Sequence, residues 1–291
     1  MSGSSASASS SPPANTAAPA PRQQPTTTTA TVAPFICIPL YIYPGPGAWD
    51  PLILAARARP SSHFHAIVNP HNGPGASPLP DANYVSALRA LSALPNVTVL
   101  GYVHVTYGKR DAADVRRDVE AYGAWRGLDA GLRIDGIFFD EAPAERGMLG
   151  YMADVSRCAK RSLTAAAADL AAGDKEGIVM LNPGVVVPRE YYDMADFVVA
   201  FEQAHGHWGS VGGEFLGAVD AAMRAKTVVM VHSCRVGDGD LERLARRFRG
   251  EGIRGQYVTA QMHGGYSEWP SWWDRYVEFV FPGSGVASGH A

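Results

Sequence analysis

Short, nearly unbroken apolar runs punctuate this chain, and between them lie longer stretches in which apolar positions recur every three or four residues. Phe35–Tyr41, His63–Asn69, Val97–Val105, Ile134–Asp140, Gly177–Leu181, Asp196–Phe201, Thr227–His232 and Ile253–Thr259 have strand composition. A strand apolar at consecutive positions is buried on both faces, as in a parallel sheet. The segments between read as helices. One runs from Trp49-Asp50-Pro51, which suits an N-cap and first turn, to about Arg59. The others are Asp81–Ser92, with Tyr84, Leu88 and Leu91 on one face, Asp111–Trp125, Met148–Ala172, a short turn at Pro188–Asp193, Glu214–Ala225, Asp238–Arg249 and Ser271–Phe281. Eight alternations in about 250 residues predict an α/β protein of the (β/α)8 TIM-barrel class. A doubly wound open sheet would usually carry fewer strands and often a glycine-rich phosphate loop after the first. Here that turn is Pro44-Gly45-Pro46-Gly47, followed at once by Ala48 and Trp49.

The barrel is expected to fill residues 34–284 as one domain. Residues 1–33, rich in Ser, Thr, Pro and Ala, cannot bury enough surface to fold and read as a disordered tail; residues 285–291 read as a short flexible one. The first residues show no basic and apolar signal pattern, so retention in the cytoplasm is the default expectation, with an O-glycosylated stalk the alternative if the true start lies upstream. No apolar run approaches a membrane span. A net charge of −3 without long charge runs recommends neither nucleic acid nor an anionic membrane as partner, and a monomer is expected. Cys37, Cys158 and Cys234 lack zinc or CxxC spacing and read as free thiols, with Cys37 and Cys234 beside apolar runs and expected to be buried.

The candidate chemistry sits where the strands stop. Ile137-Phe138-Phe139 ends abruptly in Asp140 and Glu141. An acid pair there either serves a site at the C-terminal mouth of a barrel or caps the helix that follows. Adjacent strand residues point to opposite faces, so one of the two points into a central site unless the strand is already turning. Each strand offers polar groups at this end: Tyr41 and Tyr43, Asn69, His104 and Tyr107, Asp140 and Glu141, Asn182, Glu202, His232, and Gln261 with His263. Taken singly, any Asn or His could be a loop cap; together, in a barrel, they converge on one mouth. Glu202 ends the apolar run Phe197–Phe201, two strands beyond Asp140. Two carboxylates across a barrel mouth suit glycoside hydrolysis, with one activating water or attacking and the other protonating the leaving oxygen. Trp49, Trp208, Tyr266 and Trp269, with the tyrosines above, supply rings for stacking on sugars. A metal is the competing use of the same residue types, but HxH, HExxH and clustered DxD patterns are missing, so no metal and no cofactor is expected.

These segments also resemble a known family. Ile38–Ile53 (IPLYIYPGPGAWDPLI), Ile67–Gly75 (IVNPHNGPG), Gly101–Arg110 (GYVHVTYGKR), Ile134–Pro143 (IDGIFFDEAP), Val179–Gly184 (VMLNPG) and Asp196–Glu202 (DFVVAFE) are similar to successive signatures of the spherulin 4, or spherulation-specific, family. The resemblance runs from about Phe35 to Phe281. It implies a (β/α)8 barrel and an activity like that of glycoside hydrolase family 135: endo-acting cleavage of α-1,4-linked N-acetylgalactosamine in a galactosaminogalactan-like polysaccharide. The family's Asp-Glu pair falls on Asp140 and Glu141, and its further Glu on Glu202. By mechanism Asp140 would be nucleophile or electrostatic stabiliser and Glu202 general acid/base, with Glu141 orienting substrate or tuning its neighbour. Retention of configuration is the expected outcome. The resemblance also raises an extracellular or cell-surface location, and a non-catalytic carbohydrate-binding or spore- or cyst-associated role on the same barrel.

Overall fold

The computed structural model describes residues 33–167, 176–262 and 265–283, together with Met1 and Gly3. The chain divides into two compact units, Met1–Thr31 and Val32–Ala291. The predicted tails at 1–33 and 285–291 fall almost wholly outside the described residues, as do residues 168–172 of the predicted fourth helix. Within the second unit, eight parallel strands close a barrel in sequential order. They are β1 (Phe35–Leu40), β2 (His63–Val68), β3 (Val97–His104), β4 (Gly136–Asp140), β5 (Ile178–Leu181), β6 (Phe197–Ala204), β7 (Thr227–His232) and β8 (Gly255–Val258). Closure comes from Phe35 and Ile36 of β1 pairing with Gly255 and Gln256 of β8. The helices between are α1 (Asp50–Ala58), α2 (Ala82–Ser92), α3 (Ala112–Leu128), α4 (Leu149–Ala167), α5 (Arg189–Met194), α6 (His205–Ala218), α7 (Ala221–Arg224), α8 (Asp238–Gly250) and α9 (Trp273–Val280). Among the described residues, no helix is long and apolar enough to cross a membrane.

The barrel interior is packed. Phe35 stacks on His65 with ring centres 3.8 Å apart and meets the edge of Phe197. One layer up, Cys37 Sγ lies 3.7 Å from Met180 Sδ on the facing strand. Burial pushes the His65 imidazole down to about 3 and the Cys37 thiol well up, so both stay neutral and act as filler. Cys37, Cys158 and Cys234 are free and buried. Where β4 and β6 have yet to begin, Asp135 and Asp196 continue the ladder with their side chains, accepting the N–H of Val99 (2.7 Å) and Val179 (2.8 Å).

Two departures from the sequence pattern matter for the mouth. The first is β6, which does not stop at Glu202 but runs on to Ala204. Its pairing with β7 slips between Val199 and Phe201, a bulge that inserts Ala200. Phe197 faces inward against Phe35 and His65, whereas Phe201 faces outward against Trp208 and Phe215. One extra residue reverses the alternation, and Glu202 therefore turns into the mouth. The second is α6. The pattern placed a helix over Glu214–Ala225, but α6 begins at His205, ends at Ala218, and is followed by α7 capped by Asp220. Four glycines between 206 and 213 hide this helix from propensity. Packing overrides them: Trp208 and Phe215 bury against Phe201, and Trp208 also meets Phe248.

β4 depends on having no side chain at its first residue. A Cβ on Gly136 would stand 2.3 Å from the Ile178 carbonyl oxygen, a backbone atom of the neighbouring strand. Gly136→Ala is expected to push β4 from β5 and cost about 1–3 kcal/mol of stability, read as a lower urea midpoint at unchanged slope.

Candidate active site

β4 carries Asp140 to the rim on a buried stem of Ile137, Phe138 and Phe139. The Val105 N–H still pairs with the Asp140 carbonyl (2.9 Å), but at the next residue the chain turns, with Glu141 in the left-handed region at φ +52°. Both Asp140 carboxyl oxygens are held by donors: Oδ2 accepts the Tyr102 hydroxyl (2.8 Å) and Oδ1 accepts the Asn182 amide (2.8 Å). Helix capping is thereby set aside for Asp140, and the short 3-10 turn leading into α4 has Glu145 at its N-cap.

Asn182 stands just past β5, and the same Nδ2 donates to Glu202 Oε2 at 2.5 Å. One amide nitrogen thus bridges two carboxylates. Because both bonds share that atom, the two accepting oxygens lie no farther apart than the 2.5 and 2.8 Å bonds reach end to end. The other oxygen of Glu202, Oε1, accepts the Tyr266 hydroxyl at 2.7 Å. Desolvation pushes the Glu202 carboxyl above its ordinary value and the Asp140 charge adds to this. The hydrogen bonds from Tyr266 and Asn182 pull the other way without cancelling the rise. Tyr41, whose ring meets Tyr102 and Tyr266 edge-on, completes the enclosure. Burial first, and the nearby carboxylates second, push the phenols of Tyr41, Tyr102 and Tyr266 up, so all three remain protonated donors.

The rim is built from strained backbone. All six non-glycine residues with positive φ among the described residues lie in loops leaving the C-terminal ends of strands: Asn72, Thr106, Tyr107, Glu141, Ser233 and Tyr266. Such conformations cost roughly 1–3 kcal/mol each and persist where the surroundings impose them. The Tyr107 N–H donates to the Glu141 carbonyl at 2.7 Å, so two of these residues hold each other. The Tyr107 ring is 55% exposed, and its hydroxyl is pushed up by burial and then by Glu141, Asp140 and Glu202 in turn. Among the described residues, no three His, Cys, Asp or Glu side chains gather as metal ligands.

The residues picked out by position divide into three sets. Tyr41, Asp140, Asn182 and Glu202 form the centre, and Glu141 and Tyr107 stand beside it. A second set serves the loops. Asn69 Oδ1 accepts the Gly73 N–H (2.9 Å), His104 Nδ1 pairs with Thr106 Oγ1 (3.1 Å) and His232 Nδ1 with Ser233 Oγ (2.9 Å). Gln261 uses both ends of its amide on Ser267, accepting its N–H (2.8 Å) and donating to its Oγ (2.7 Å). Tyr43 projects at the edge. The third set does not reach the mouth. Trp49 is 2% exposed and donates its indole N–H to the Ile42 carbonyl (2.8 Å), so it braces the first loop and cannot stack on a ligand. Trp208 is likewise core. His263 lies outside the described residues. Position at strand ends missed Tyr102, which lies within β3. Its signal was available in the strand period, two residues before His104 and on the same face.

Comparison with known proteins places these features in a family. The profile of spherulation-specific family 4 matches residues 35–280. Spherulin-4 of Physarum polycephalum is 34% identical over 171 residues, 58% of this chain but only 45% of that protein, so the match spans less than half of the relative's length. Sph3 of Aspergillus clavatus, whose crystal structure holds GalNAc, superposes with a TM-score of 0.78 at 30% identity, over 86% of this chain and 98% of Sph3.

The bond from Tyr266 favours the charged form of Glu202, so its loss should move the titration upward. In Tyr266→Phe the Glu202 carboxyl is expected to titrate at higher pH than in the wild type, followed by NMR of 13C-labelled glutamate side chains. An unchanged or lower midpoint would show that the bond does not act on Glu202.

Proposed function

The chain belongs to spherulation-specific family 4, and we propose that it is a glycoside hydrolase that cleaves an amino-sugar polysaccharide from within the chain. The observation that carries this reading is the pair Asp140 and Glu202, tied to one amide, with burial pushing the Glu202 carboxyl up. Glycosidases that retain configuration place their two carboxyls about 5–5.5 Å apart, and inverting ones leave about 6.5–9.5 Å for a water. The shared Asn182 nitrogen favours the closer spacing.

In this reading Glu202, its pKa raised, holds a proton at working pH and delivers it to the leaving oxygen. Asp140, offered to donors through both oxygens, attacks or stabilises the sugar's reacting carbon as the bond breaks. Glu202, now ionised, takes a proton from water in the second step. Glu141, beside the pair, orients substrate. Sph3 of A. clavatus was solved with GalNAc, and this supports an α-1,4-linked N-acetylgalactosamine polymer as substrate here. The reading needs no metal ion.

Purified protein is expected to release oligosaccharides from galactosaminogalactan and not from chitin or chitosan, with EDTA without effect. Glu202→Gln and Asp140→Asn should each lower the rate by about 10²–10⁴-fold. Full activity in either variant would remove that residue from the mechanism, and binding without release from any polymer would favour a non-catalytic carbohydrate-binding protein. The pH profile follows from the same assignment. A general acid is active while protonated, so the basic limb should fall above the ordinary glutamate range in the wild type.

A further inference from the structure

Beyond the reacting centre, one aromatic ring is both exposed and rigidly held. Tyr43 is 55% exposed, yet its hydroxyl is fixed twice: it donates to Asp81 Oδ2 (3.2 Å) and accepts from Asn83 Nδ2 (3.0 Å), both at the start of α2. Its ring stands edge-on to Tyr84, and Tyr84 stands edge-on to Trp49. Trp49 and Tyr84 are buried, and their polar ends are anchored to the Ile42 and Asn69 carbonyls. This row of three rings, edge-on to one another, therefore has a fixed base and an exposed outer ring. Asp81 is occupied as well, since its Oδ1 accepts the Asn83 and Tyr84 N–H groups. An exposed phenol with its hydroxyl tied down gives up no rotamer freedom when a ligand covers it.

Two features say what kind of ligand. The ring stands two residues beyond Tyr41, which touches the central tyrosines, so the two Cα atoms are at most about 7 Å apart. Tyr43 is thus rooted beside the mouth, within reach of a chain that extends out of it. Asp81 and Tyr84, which hold the ring, also line a hollow of about 200 Å³ together with His71, Pro74 and Ser77. It has the size of a single sugar ring and mixes apolar and hydroxyl-binding groups, as a pyranose requires.

We propose that Tyr43 and this hollow form a distal glycan subsite, which holds a sugar unit of the polymer outside those at Asp140 and Glu202. This rests on the hydrolase reading above and deepens it: cleavage would depend on chain length, because only a longer chain reaches the outer ring. Trp49 then acts as the brace that keeps Tyr43 in place.

The test is calorimetric binding of α-1,4-linked N-acetylgalactosamine oligosaccharides, from the disaccharide to the octasaccharide, to the Glu202→Gln protein, with and without Tyr43→Ala. Affinity should climb with length in the first protein. The second substitution should cost about tenfold for the long ligands and less than twofold for the disaccharide. Tyr43→Phe, which keeps the ring but frees it from Asp81 and Asn83, should fall between the two proteins in its length dependence. An equal loss at every length, or no loss at any, would overturn the subsite while leaving the hydrolase reading in place. No binding of any oligosaccharide would overturn both.

Discussion

Everything at the mouth of this barrel depends on the side-chain amide of Asn182. Two like charges about 5 Å apart repel by about 3 kcal/mol at an effective dielectric of about 20, and the bridged carboxylates stand on that scale. The Asn182 amide faces both, giving each a donor, while Tyr102 and Tyr266 take the remaining oxygens. Burial pushes Glu202 toward its protonated form and the Asp140 charge adds to this, which relieves the repulsion. The proposed division of labour between Glu202 as acid and Asp140 as nucleophile rests on this shift.

The barrel supplies the geometry in three ways. Buried stems of Phe and Val carry each acid to the rim with little freedom. The bulge in β6 reverses the strand's alternation and aims Glu202 inward, where an unbroken strand would have aimed Phe201. Left-handed residues, Glu141 and Tyr266 among them, then turn the chain at the point where a side chain must face the centre. The cost of those conformations is met by the core below, where neutral His65 and Cys37 fill space among Phe35, Phe197 and Met180.

The fold was legible because strands buried on both faces are apolar at consecutive positions, and such runs stop visibly at a polar residue. Asp140, Asn182 and Glu202 could be read for that reason. The same uniformity hid the bulge, since Phe197–Phe201 shows no alternation to interrupt. Aromatic residues near the mouth could not be sorted from sequence. Trp49 and Tyr266 both follow strand ends, yet one braces a loop and the other binds a catalytic candidate, and only long-range packing decides. Asn69 and Gln261 illustrate the other limit: their amides are spent on local turns, as strand-end amides often are. α6 escaped notice because its glycines argue against a helix and the rings that hold it are distant in sequence, as with Phe248.

The measurement closest to the central claim is the configuration of the first product. Proton NMR of the newly formed reducing end, recorded in the earliest minutes of hydrolysis of an α-linked galactosaminogalactan and before mutarotation, distinguishes the two stereochemical courses. A carboxylate pair held to one amide predicts the α anomer, formed with retention. The β anomer would mean that a water molecule attacks directly and that Asp140 does not act as the nucleophile.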